Sequence, residues 1–325
     1  MDTIATLGRA IAEVAGPTFQ AYGDLLREPV NASAIHATKR ETFPYGSHDR
    51  QKLDLYTPSS HAPKPAAGKH RPVLVFVYGG AFVMGDRVEG MVPGEVVHTN
   101  LGYFFAEKLG YATIVMDYRL LSHGAKYPSG GEDVAGVMDW IEARDKSDVS
   151  GHEKMGEIIL MGNSAGGVHV ATWLFEERFR EGRNAFVAGI NGVKLQGAVF
   201  LGCPLRWNMD GGMRPMLTTY YDGEKESVEA EPTALMEKAI GGAEKGEMGK
   251  WPKVLVAVSE LDPEVDMVVP GKEFAKIWKE KGGRGSFIEL KGHNHISPPL
   301  SLGTGDKREE AWGFELAEWV SSISG

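Results

Sequence analysis

Apolar residues in this chain come in short solid runs, each followed by a stretch in which they recur every three or four positions. The runs at 73–78 (VLVFVY), 112–117, 157–161, 196–202, 253–258 and 286–290 are strand length and largely apolar. Helical spacing lies between or after most of them, over about 95–109, 130–144, 165–181, 268–282 and 307–322. Near-continuous apolar strands are buried on both faces. Their alternation with amphipathic helices predicts an α/β fold, a mostly parallel central sheet covered by helices on both faces. Two earlier strands are predicted at 41–47 and 52–58, joined at a turn, and the polar, proline-rich 59–71 reads as a surface loop. Residues 1–40 read as helix followed by irregular chain, with Ile4, Leu7, Ile11 and Val14 at helical spacing. The stretch 205–251, rich in Met, Gly and aromatics, is too long for a plain connection. It reads as a small cap inserted over the carboxyl edge of the sheet. No internal repeat is present, so the expectation is one domain over 1–325, with cap elements at about 1–40 and 205–251.

Composition narrows the class of partner. At 325 residues and 42% hydrophobic, the chain can bury a full core. A net charge of −9 argues against nucleic acid or an anionic membrane surface. No apolar run approaches the roughly 18 residues of a membrane span. The single cysteine, Cys203, has no internal partner, so nothing depends on an oxidising compartment. The opening MDTIATLGRAIAEVAG lacks the basic start and solid apolar block of a signal peptide, which makes cytoplasmic the default expectation. Asn31-Ala-Ser33 fits the glycosylation pattern, but such tripeptides arise often by chance.

The chemistry begins at 158-IILMGNSAGG-167, where G-x-S-x-G follows an apolar strand and opens a helix. A sharp strand-to-helix turn needs glycines on either side of the serine. It lifts the Ser164 hydroxyl above the sheet and aims the N–H of Ala165 at a developing oxyanion. Upstream, the strand 73–78 ends in Gly79-Gly80-Ala81, small residues whose main chain can approach a ligand closely. Gly79 is expected to supply the turn, and the N–H groups of Gly80 and Ala81 the remaining oxyanion donors. A serine nucleophile needs a base, and the base an orienting acid, in the chain order Ser, acid, His. The strand 253–259 runs into Glu260-Leu261-Asp262-Pro263, where Asp262 is the better-placed acid and Glu260 its rival. The next strand runs into His293-Asn294-His295, and either histidine is a candidate base. His36, His48, His61, His70 and His123 read as surface groups, and His169, inside the helix after Ser164, as packing.

Taken together, 53-LDLYTP-58, 73-VLVFVYGGAFVMGD-86, 117-DYRL-120 with 127-YPSGGEDV-134, 162-GNSAGG-167, 260-ELDP-263 and 292-GHNHIS-297 carry a resemblance. They resemble, in order, the α/β-hydrolase-fold serine esterases. The likeness is to the hormone-sensitive-lipase-like carboxylesterases, the feruloyl/acetyl-xylan esterases and the kynurenine formamidases. The resemblance implies Ser164 as nucleophile, Asp262 as acid and His295 as base, because the family's histidine is commonly followed by a bulky apolar residue and Ile296 follows His295. It also implies that Asp117-Tyr118-Arg119 forms a turn pinning the sheet behind the site. Where these families have His-Gly-Gly, this chain has Tyr78-Gly79-Gly80, so the bonds holding the oxyanion loop must differ. The expected function is cleavage of a small carboxylic ester through an acyl-enzyme, with no metal and no cofactor. The alternatives are C–N, lactone or thioester hydrolysis, or a non-catalytic small-molecule receptor. Phe82, Trp207, Met209, Met213 and Met216 are the expected apolar lining of the pocket, and pairing as a homodimer is left open.

Overall fold

The structure, a computed structural model, describes residues 2–65, 70–147, 154–241 and 248–324. Its centre is an eight-stranded sheet of β1 (Lys39–Pro44), β2 (Lys52–Thr57), β3 (Pro72–Val77), β4 (Ala112–Met116), β5 (Glu157–Asn163), β6 (Lys194–Leu201), β7 (Lys253–Leu261) and β8 (Gly285–Asn294). The spatial order is β1-β2-β4-β3-β5-β6-β7-β8. β2 runs antiparallel to β1 and β4, and from β4 to β8 every pairing is parallel. Val75 illustrates why the central strands read as solid apolar runs. It pairs with Ile114 on one side and Leu160 on the other, and is fully buried. All eight strands lie where the sequence reading put them, with ends shifted by a few residues. This is the α/β-hydrolase arrangement that the sequence predicted.

Chain order reverses at β3, whose neighbours are β4 and β5. Open α/β sheets hold ligands in the crevice beyond the carboxyl ends of their strands at such a switch point. The expected oxyanion loop follows β3 and the expected nucleophile follows β5, so the two become neighbours.

The helices depart from expectation in three places, the first being the helical spacing of Ile4, Leu7, Ile11 and Val14, which is broken between residues 5 and 11 so that Leu7 lies outside helix. Residues 27–40 are not irregular. After α1 (Asp2–Ala5) and α2 (Ile11–Leu26), the chain re-enters helix as α3 (Pro29–Ala37), with Pro29 in the first turn, where its missing N–H costs nothing. Ile4, Tyr22, Leu26 and Ile35 from these helices pack with Val92, Val96, Val97 and Leu300, a cluster separate from the main core.

The helix predicted over 165–181 also ends early. It is α6 (Ala165–Phe175), and a short 3-10 turn leads into α7 (Arg180–Ala188). Every residue of α6 is buried, whereas α7 is half-solvated, so one straight helix cannot satisfy both environments. Arg183 reaches back from α7 to the Leu174 carbonyl, an acceptor left open at the end of α6.

The remaining helices include α4 (Thr99–Tyr103), continued by a π-turn to Lys108, and α5 (Ser129–Lys146). The 205–251 insert holds α8 (Arg214–Tyr221), α9 (Glu224–Glu229) and α10 (Pro232–Ile240). α11 (Val269–Glu280), α12 (Ser297–Ser301) and α13 (Ala311–Ile323) complete the chain. Among the described residues, no helix is long and apolar enough to cross a membrane.

Candidate active site

Ser164 occupies the junction of β5 and α6 with φ 51° and ψ −122°, a conformation that costs a non-glycine residue roughly 1–3 kcal/mol. Close packing holds it there. A Cβ on Gly166 would lie 2.0 Å from the Val77 carbonyl oxygen, and one on Gly162 would lie 2.4 Å from the Gly167 Cα. Only glycine at 162 and 166 lets α6 descend so close to the strand ends. The Ser164 N–H donates to the Leu201 carbonyl of β6 at 2.9 Å, which fixes the turn from below.

The loops after β7 and β8 bring two more groups to this point. His295 Nε2 stands 3.0 Å from Ser164 Oγ, and His295 Nδ1 stands 2.7 Å from Asp262 Oδ1. Asp262 is fully buried, and its second oxygen accepts the Ser259 N–H at 2.7 Å. A carboxylate facing Nδ1 holds the ring proton there, which leaves Nε2 free to accept from the serine hydroxyl. The two rivals point elsewhere. His293 Nδ1 pairs with Ser297 Oγ at 2.9 Å, and burial pushes His293 down to about 4, so its ring stays neutral. Glu260 accepts the Gly292 N–H at 2.9 Å and lies 3.7 Å from Lys291.

The loop after β3 lies directly against Ser164. A Cβ on Gly79 would approach Ser164 Cβ to 3.0 Å. Gly80, Ala81 and Phe82 follow at φ 133°, 51° and 64°. The N–H groups of Gly80, Ala81 and Ala165, in the loop after β3 and next to Ser164 in the chain, donate to no described residue, and unspent main-chain donors of this kind suit a developing negative charge.

Tyr78 shows how this loop is held without the family's histidine. Its hydroxyl donates to Asp117 Oδ1 at 2.8 Å and accepts from Arg50 Nη2 at 2.7 Å. Burial, with Asp117 beside it, drives that hydroxyl well above the usual tyrosine range, so it stays a donor. Arg50 also bonds the Gly85 and Tyr118 carbonyls, while Arg87 joins Asp117 to Asp54 on β2. The Tyr118 hydroxyl in turn donates to the Gly79 carbonyl at 3.1 Å. His98, which no sequence pattern singled out, stacks on the Tyr78 ring at 5.2 Å. In the 117–119 turn, Asp117 thus anchors the loop beside Ser164, and Arg119 pairs with Asp133 of α5 at 2.8 Å.

N-terminal residues brace the other side. Arg9 donates to the Asp262 carbonyl at 2.7 Å, and Thr18 of α2 accepts from the Asn294 side chain between the two histidines. Nothing in the local sequence pattern marks these contacts, since each joins residues more than 250 positions apart.

The expected pocket residues differ in burial. Phe82 is 2% exposed, its ring stacked on Tyr220 of the insert. Trp207 is half-buried and donates its indole N–H to the Ser227 carbonyl. Met209 and Met216 pack half-buried against the main core, and Met213 is 47% exposed.

The chain is similar to known proteins that carry esterase names. Residues 53–176, from β2 through α6, match the BD-FAE family model, a segment that carries the loop after β3 and Ser164. A probable isoprenylcysteine alpha-carbonyl methylesterase of Arabidopsis thaliana is 30% identical over 46% of this chain and 31% of its own length. A second, from Oryza sativa subsp. japonica, is 24% identical over 77% of this chain and 56% of its own length. The chain therefore spans about a third to a half of these curated relatives. Among solved structures, esterase B from Lactobacillus Rhamnosis superposes with a TM-score of 0.63 at 14% identity, covering 95% of this chain and 96% of that one. The hyperthermophilic esterase from the archaeon Pyrobaculum calidifontis does so at 0.60 and 19% identity, covering 94% and 93%. The chain is an α/β-hydrolase-fold protein resembling the serine esterases of the hormone-sensitive-lipase-like group.

Proposed function

We propose that this protein is a serine hydrolase that cleaves a small carboxylic ester through an acyl-enzyme. The observation that carries the reading is His295, whose two ring nitrogens bridge Ser164 and the buried Asp262. In the first step the Ser164 Oγ attacks the ester carbonyl carbon while His295 Nε2 takes the hydroxyl proton. Asp262 stays ionised and holds the Nδ1 proton, steadying the imidazolium. The N–H groups of Gly80, Ala81 and Ala165 receive the carbonyl oxygen as it becomes negative. Collapse of the tetrahedral species breaks the C–O bond, and His295 returns the proton to the departing alcohol. Water then repeats the sequence, giving its proton to His295, attacking the acyl carbon and releasing the acid with Ser164 restored.

The ester preference over C–N, lactone or thioester bonds draws support from the esterase names of the matched relatives. A receptor reading loses ground because His295 lies within hydrogen-bond distance of both Ser164 and Asp262, an arrangement that small-molecule binding alone does not need.

A fluorophosphonate tests the proposal. It is expected to label Ser164 stoichiometrically, and Ser164→Ala is expected to lose the label together with hydrolysis of nitrophenyl acetate. Label mapping to another serine, or turnover surviving in Ser164→Ala, would reject it.

A further inference from the structure

Ala81 and Phe82 are consecutive non-glycine residues at positive φ, 51° and 64°. Such a pair persists only where surrounding structure over-determines it. The Leu121 N–H donates to the Phe82 carbonyl at 2.9 Å, and an aromatic box holds the Phe82 ring. That ring stacks on Tyr220 at 4.4 Å and 13°, and meets the edge of His169 at 5.2 Å. We propose that Tyr220, carried by the insert helix α8, is a positioning residue that presents the oxyanion donors by clamping Phe82. The inference rests on the acyl-transfer reading above.

Tyr220 is well fixed for this role. It is buried, its carbonyl accepts the Tyr127 N–H at 2.8 Å and its hydroxyl accepts the Gly130 N–H at 3.3 Å. Both ring nitrogens of His169 lack a partner among the described residues, and burial pushes the ring down to about 3, so it forms a neutral wall. On its other side His169 meets Tyr118 at 4.5 Å, and the Tyr118 hydroxyl holds the Gly79 carbonyl. The box therefore grips the loop at both ends: Gly79 through Tyr118, Phe82 through Tyr220. The free N–H groups of Gly80 and Ala81 lie between. Donors fixed in this way act on charge that develops only in the transition state, so loosening them lowers kcat more than it raises KM.

The test compares Tyr220→Ala and Tyr220→Phe in the full chain with nitrophenyl acetate. Removing one oxyanion donor commonly costs about 10²–10³ in kcat, so partial misplacement through Tyr220→Ala is expected to cost about ten- to a hundredfold. KM should change little, and inhibition by an alkyl trifluoromethyl ketone, which forms the oxyanion, should weaken in step with kcat. Tyr220→Phe keeps the ring and should recover most of the loss. If Tyr220→Ala unfolds, Tyr220→Leu, which keeps bulk without the stack, is measured against the same ketone. A loss confined to KM would make Tyr220 a substrate contact and overturn the proposal. Unchanged kinetics beside normal Ser164 labelling would overturn it as well, whereas absent labelling in the wild type would remove the underlying reading.

Discussion

Asn294 donates from Nδ2 to Thr18 Oγ1 at 2.8 Å, joining the loop that carries His295 to the N-terminal helix α2. Asn294 is fully buried, and its Oδ1 already accepts the Ile296 and Ser297 N–H groups, so this side chain shapes the turn on which His295 sits. Thr18→Val removes the only acceptor of the Asn294 amide among the described residues and leaves that buried group unpaired, a cost of about 1–3 kcal/mol. The expected result is a lower urea midpoint together with reduced turnover, since the base is less firmly aimed. A variant as stable and active as the wild type would show that α2 covers the site without organising it.

The two acids differ in what they touch, and that makes a second prediction. Asp262→Asn keeps the shape but no longer holds the His295 proton at Nδ1, so turnover should fall about 10⁴-fold with the fold intact. Glu260→Gln disturbs only the Gly292 N–H contact and a partly exposed ion pair with Lys291, and should stay within a few-fold. Paired measurements on His295→Ala and His293→Ala are expected to split the same way. His293→Ala should chiefly lower stability, through the lost Ser297 bond.

Tyr78→Phe isolates the substitute for the family's histidine. It deletes the hydroxyl that connects Asp117 to Arg50 while keeping the ring stacked on His98. Both charged partners retain other bonds, so the expected loss of stability is only about 1–2 kcal/mol. Turnover should fall more than stability alone explains, because the loop beside Ser164 is less firmly fixed. Comparing kcat with thermal unfolding of the same preparation separates the two effects.

Two buried histidines predict how stability changes in acid. His169 and His293 are pushed from 6.5 to about 3 and about 4, in both cases chiefly by burial. Between pH 6.5 and 4 the unfolded chain binds these protons and the folded chain refuses them, so stability declines as pH falls through that window. Each contributes roughly a few kcal/mol to that decline. His169→Phe removes one of the two, and its urea midpoint should fall less steeply over the same range. An unaltered slope would mean that His169 does not enter the folded state neutral.

The apolar runs placed the six strands β3 to β8, because a buried parallel strand must be apolar on both faces over its own few residues. Val75 between Ile114 and Leu160 is written into each local segment. The strand-to-helix turn at Ser164 is only partly local: Gly162 answers to Gly166 and Gly167 on the same turn, whereas Gly166 is pressed against the Val77 carbonyl at the end of β3. The choice between His293 and His295, and between Glu260 and Asp262, is different in kind. Each pair sits on one short loop with similar chemistry, and the outcome depends on where β7 and β8 end relative to β5, a matter of sheet register. The break after Phe175 and the helix at 29–37 were also hidden, because helical spacing continues across a change of direction that only packing imposes. The clamp on Phe82 lay further from view still. Tyr220 follows it by more than a hundred residues, and aromatic residues in an insert carry no periodic sign of what they stack on. Sequence determined the elements and the residue types at their ends. Tertiary structure decided which of those residues meet, because contacts across the sheet edge depend on register and packing that no local window contains.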